Sequence, residues 1–135
     1  VHTPQHDVMM EAIEQCRQAI QTGAFPDQVR ECLEHLGYMN EPETAALVLL
    51  CWFLGQHWQP VPFFLGVRSG ETALSQLGFT SISFQTVSRR FLCLERDGVL
   101  KCTFKAKPGQ RDAASEYIWT WTQPDRPAPQ LDWLT

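Results

Sequence analysis

The sequence predicts a mainly α-helical chain that carries a small antiparallel β-hairpin near its end. Three observations support that class. Apolar residues recur at steps of three and four through most of the chain up to Leu100, which places them on single faces of helices. One run, AALVLLCWFLG at residues 45–55, is apolar on every side, as expected of a helix surrounded by other elements. Beyond Gly98 the period changes to two: Leu100, Cys102 and Phe104 alternate with Lys101, Thr103 and Lys105, and Tyr117, Trp119 and Trp121 alternate with Ile118, Thr120 and Thr122.

In chain order, a first helix is expected over residues 5–22, with Met9, Ile13, Cys16 and Ile20 as its apolar stripe and Gly23 as its stop. Pro26 and Asp27 suit the first turn of a second helix, whose stripe is Val29, Cys32, Leu33 and Leu36 and whose stop is Gly37. Together they form a helical hairpin too small to bury both stripes alone, so it is expected to pack on the rest of the chain or on a second copy. Asn40-Glu41-Pro42-Glu43 opens the third helix, the central pillar of the core, in which Trp52 and Trp58 are read as packing residues. Pro60 and Pro62 end it, and residues 61–67 suit a short strand. Residues 66–70, with two glycines, read as a loop, and Ser69 or Gly70 starts a fourth helix over about 71–78.

A fifth helix occupies residues 83–97. Ser83 can accept from the free N–H groups of its first turn, and Gly98 supplies the left-handed residue that ends it. Phe84, Val87, Phe91 and Leu94 fall on its inner side, with Gln85, Arg89, Cys93 and Arg96 opposite and Thr86 and Arg90 flanking. Arginine and glutamine so placed are the side chains that bond phosphates and purine edges. Two strands follow, 99–106 and 116–122, joined by the polar tip KPGQRDAAS at 107–115. The last residues, rich in proline, are not expected to be regular.

The chain of 135 residues has a net charge of −4, but the charge is unevenly spread. Residues 1–60 hold eight acidic and two basic side chains, whereas residues 84–111 hold seven basic and two acidic ones. That change of sign suits a basic binding surface attached to an acidic body. The five cysteines show no C-x-x-C pair and are read as free thiols of a reducing compartment; no metal, cofactor or disulfide framework is expected. No G-x-S-x-G, H-E-x-x-H or G-x-x-x-x-G-K motif is present, so catalysis is not expected. No apolar run is long enough to cross a bilayer and no secretory leader is visible, so a cytoplasmic or nucleoid-associated place is expected.

Residues 82–100, ISFQTVSRRFLCLERDGVL, resemble the recognition-helix half of a winged helix-turn-helix domain, whose loose pattern is I-S-x-x-T-V-S-R-x-φ-x-x-L-E-x-x-G-φ-φ with φ apolar. Ile82, Ser83, Thr86, Val87, Ser88, Arg89, Phe91, Leu94, Glu95, Gly98, Val99 and Leu100 match it. The sequence departs from that family in the turn, where Phe79-Thr80-Ser81 lie between Leu77-Gly78 and Ile82-Ser83. The resemblance implies a helical extension over 1–40, a winged helix-turn-helix domain over 41–123 and a Pro-rich tail over 124–135. It also implies sequence-specific binding of double-stranded DNA by a transcription regulator, with a recognition helix at 83–97 in the major groove and a wing at 99–122 on the backbone. Gln85, Thr86, Ser88, Arg89 and Arg90 would then meet bases and phosphates, and Lys105, Lys107 and Arg111 the flanking backbone. The acidic N-terminal helices would face away and pair two copies as a homodimer. The alternative is a winged helix that binds a protein within a larger assembly.

Overall fold

The structure, a computed structural model, describes residues 4–104 and 115–121. In chain order it contains α1 (Pro4–Thr22), α2 (Asp27–Leu36), α3 (Pro42–Trp58), the short strand β1 (Phe63–Phe64), α4 (Val67–Gln76), α5 (Phe84–Arg96), β2 (Leu100–Phe104) and β3 (Glu116–Trp119). It is mainly helical, with one three-stranded antiparallel sheet in the order β1-β3-β2.

The all-apolar run becomes α3, and Thr44 through Cys51 are buried without interruption. A helix with no polar side has to be surrounded, and α1, α2, α4, β1 and β3 all pack on it. Along α1 the stripe is rotated from the one expected. Val8, Ala12, Ile13, Cys16 and Ala19 are buried, whereas Met9 is half-buried and Ile20 is 38% exposed. Ala12 and Ala19 are buried on the side of α1 that enters the core, and α1 packs along α3. Val29, Cys32 and Leu33 of α2 enter the same core as the spacing predicts, and Gly37 closes the helix with a φ of 78°. The stripes of both N-terminal helices are therefore covered within the chain. Gln28 ties this region together: its Oε1 accepts from Trp52 Nε1 at 2.9 Å and its Nε2 donates to the Trp121 carbonyl at 3.3 Å.

The strand expected over 61–67 is reduced to two residues, because Pro60 and Pro62 have no N–H to give to a ladder. Phe63 and Phe64 pair with Tyr117 and Glu116. The fourth helix begins at Val67, earlier than expected, and the glycine-flanked stretch is its first turn rather than a loop. Gly66, extended at φ −84° and ψ 163°, precedes it, and Gly70 lies inside it. Gly70 is needed for packing: a Cβ there would stand 3.2 Å from Val87 Cγ1 and 3.6 Å from the Phe91 ring. The Phe79-Thr80-Ser81 connection is anchored at both ends. The Phe79 N–H donates to the Leu74 carbonyl at 2.9 Å, and Phe79 and Ile82 pack against the core.

Candidate functional site

The side chains that carry the basic, polar face belong to α5, and its start and stop follow from residue type. Ser83 Oγ accepts from the Thr86 N–H at 3.2 Å and lies 3.1 Å from the Thr86 hydroxyl. At the other end Gly98 takes a φ of 79°, and the Val99 N–H donates back to the Leu94 carbonyl at 2.9 Å. Val87, Phe91 and Leu94 are buried, as their spacing predicts. Phe91 stacks on Tyr117 of β3 with ring centroids 5.1 Å apart and planes 6° from parallel, so α5 is seated on the sheet. Thr120 ties the foot of the hairpin to the end of α5, donating from Oγ1 to the Gly98 carbonyl and from its N–H to the Val99 carbonyl, each at 2.9 Å.

The outward face of α5 is turned relative to the one expected. Phe84, placed inward by the helical wheel, is 38% exposed, and Leu92 is 55% exposed. The Arg68 guanidinium of α4 lies over the Phe84 ring, 4.0 Å from its centroid. Cys93, expected to face outward, is half-buried. The cause lies on the opposite flank, where the connection between α2 and α3 covers the helix. Tyr38 Oη donates to the Asp97 carboxylate just past α5, and Arg90 Nη1 donates to Glu41 Oε1 at 3.0 Å.

The expected site residues are thereby separated. Gln85 and Arg89 are exposed, and Arg89 has no ion pair or hydrogen bond among the described residues. Ser88 is half-buried. Thr86 is half-buried and its hydroxyl is engaged with Ser83. Arg90 is turned toward α3, with its Nε buried and unbonded. Lys105, Lys107 and Arg111 lie outside the described residues. Arg96 is exposed but bonded to Asp97 at 3.2 Å, and Lys101 on β2 is exposed.

Two residues beside this face carry no local signal of their role in the sequence. Arg68 lies in a glycine-flanked stretch that resembles a loop, and only the start of α4 at Val67 puts it in a helix's first turn. Glu41 has the sequence signature of a helix-start carboxylate, and nothing local marks its tie to Arg90.

Burial sets the ionisation of the groups around the covered flank. Burial, followed by the bond to Asp97, pushes the Tyr38 phenol up to about 12. The Cys32 thiol is also pushed up to about 12 by burial, with the Asp97 charge adding to it. Among the described residues no group of three or more His, Cys, Asp or Glu is placed to hold a metal ion. No helix among them is long and apolar enough to cross a membrane. Comparison with family models, with curated proteins and with solved structures finds no match for this chain.

Proposed function

We propose that the chain is a winged helix-turn-helix protein that binds double-stranded DNA as a transcription regulator. In this reading α4 and α5 are the paired helices, β2 and β3 the wing, and α5 enters the major groove. The observation that carries it is that Arg89 has no ion pair or hydrogen bond among the described residues. It stands exposed beside Gln85 on a helix followed directly by an antiparallel pair of strands, and no described carboxylate neutralises it. An exposed guanidinium and an exposed amide on one helix suit guanine and adenine edges or phosphate oxygens. The element order supports the same reading: a helix, a strand, two helices, then two strands, with β1 closing on β3.

Within this proposal the roles divide. Gln85, Ser88 and Arg89 face the duplex, with Lys105, Lys107 and Arg111 on the wing. Thr86 holds the start of the helix through Ser83, and Arg90 ties the helix to α3. Pairing of two copies through the N-terminal helices would use their outer surfaces, where Met10 and Ile20 are exposed.

A second reading, a winged helix that binds protein, draws on Phe64 and Phe104. Both lie opposite Glu116 on neighbouring strands and are 42% and 52% exposed. Titration with random duplex DNA at low salt separates the two readings. Binding that collapses as salt rises supports the first, because released counterions drive it. An absence of binding at low salt overturns it in favour of the second.

A further inference from the structure

We propose that Arg68 and Phe84 act as one cation–π unit that reads thymine methyl groups in the major groove, an inference that rests on the DNA-binding reading above. Phe84 is the first residue of α5, adjacent to Gln85, yet 38% of it is accessible. A phenyl ring gains nothing from water, and Phe84 is not among the buried residues of α5, which are Val87, Phe91 and Leu94. It is nevertheless held in place. The Arg68 guanidinium covers one side of the ring at 4.0 Å, and Glu71, one turn along α4, lies 3.6 Å from that guanidinium. The ring is thus fixed by a neighbouring helix at the end of α5 that carries Gln85.

The edge of a duplex in the major groove offers donors, acceptors and one apolar group, the C5 methyl of thymine. An apolar ring covered on one side by Arg68 and next in the chain to Gln85 matches that group and no other feature of the edge. The face of a guanidinium can lie on an aromatic ring while its N–H donors point outward in the guanidinium's own plane. Arg68, with its side chain 74% exposed, can therefore hold Phe84 and still donate to an adjacent phosphate. The pair couples α4 to the sequence preference of α5, and it adds to the contacts of Arg89 without sharing them.

The test compares short duplexes of alternating dA–dT with the same duplexes carrying dU for dT, which removes only the methyl groups. The chain is expected to bind the uracil duplex about fourfold more weakly, the value of one buried methyl group. Phe84→Ala is expected to bind both alike. Arg68→Gln, which removes the cation that holds the ring, is expected to lower the ratio toward one, and it carries the comparison should Phe84→Ala fail to fold. Equal binding of the two duplexes by the unaltered chain overturns the inference and leaves the DNA reading standing. So does a ratio that survives in both variants. Failure to bind either duplex at low salt overturns the DNA reading, and this inference with it.

Discussion

Arg90 Nη1 of α5 donates to Glu41 Oε1 at 3.0 Å, and that same oxygen accepts from the buried Thr44 hydroxyl at 3.1 Å. Glu41 immediately precedes α3, so its carboxylate also lies at the positive end of that helix. An arginine whose sequence position suggests a partner-facing role is instead a tie between two helices. Its neighbour Arg89, one residue earlier and about 100° away around the helix, has no partner among the described residues.

That contrast predicts opposite phenotypes for two adjacent substitutions. Arg90→Ala is expected to lower unfolding free energy by about 1 kcal/mol, because it removes a charge-assisted bond from a half-exposed, partly screened pair. Arg89→Ala is expected to leave stability within about 0.5 kcal/mol, as at other unpaired surface sites. On duplex DNA the order reverses. Arg89→Ala is expected to reduce the salt slope of log affinity by about 0.9, the release expected for one phosphate contact, and Arg90→Ala by less. Urea unfolding and binding titrations across a salt series measure both. An equal change in slope from the two variants would remove Arg89 from its assigned place.

Gly70 and Val87 give a second prediction, about how α4 meets α5. Alanine in a helix interior is favoured over glycine by about 1 kcal/mol when nothing crowds it. Here its Cβ would lie 3.2 Å from Val87 Cγ1, with the Phe91 ring behind at 3.6 Å. Val87 is fully buried and stiff at its branched Cβ, so it has little room to yield. Gly70→Ala is therefore expected to destabilise the protein, and to stabilise it when Val87 is already alanine. A double-mutant cycle measures that change of sign. Destabilisation of equal size in both backgrounds would mean that Val87 is not what Gly70 accommodates.

The parts of this fold legible in the sequence are those decided by local chemistry. Ser83 and Gly98 mark the ends of α5 because a hydroxyl acceptor and a left-handed residue are needed there whatever surrounds the helix. The all-apolar α3 announces a surrounded position for the same kind of reason. Rotation about a helix axis is a different matter. Whether Phe84 or Thr86 faces out depends on Arg68 and on the Tyr38–Glu41 flank, and both come from other elements. The alternation after Gly98 shows the strands, but the irregularity between Cys102 and Phe104, which brings Phe104 opposite Glu116, arises only in pairing. Of the candidate site, the pattern located the helix and the exposure of Gln85 and Arg89, whereas the tie of the half-buried Arg90 to Glu41 comes from another element.

The thiols divide into two classes that reagents should distinguish. Cys16, Cys32 and Cys51 are buried and Cys93 and Cys102 half-buried. Burial pushes the first two up to about 12 and raises Cys51 as well, so almost none of the three is thiolate near neutral pH. A maleimide is expected to label Cys93 and Cys102 in the folded protein and the other three only after unfolding. Peptide mass mapping checks this, and early labelling of Cys16 would show that the contact between α1 and α3 opens readily.

The same buried groups set the direction in which alkali acts on stability. Cys16 and Cys32 titrate at about 12 in the fold against 9.0 for an ordinary thiol, and Tyr38 at about 12 against 10.0. Each pKa is raised on folding, so between the two values the folded chain binds more protons than the unfolded one. The stabilisation is therefore complete below about pH 9, where both states are protonated, and it is lost as pH climbs toward about 12. The urea midpoint of the protein is expected to fall across that window. Cys16→Ala, whatever it costs at neutral pH, removes one such proton from the balance, and its midpoint is expected to fall less steeply. Tyr38→Phe is expected to do the same while also losing the bond to Asp97, so its curve starts lower and runs flatter. A midpoint that stays level through the window in the unaltered protein would mean that these groups release their protons as easily folded as unfolded.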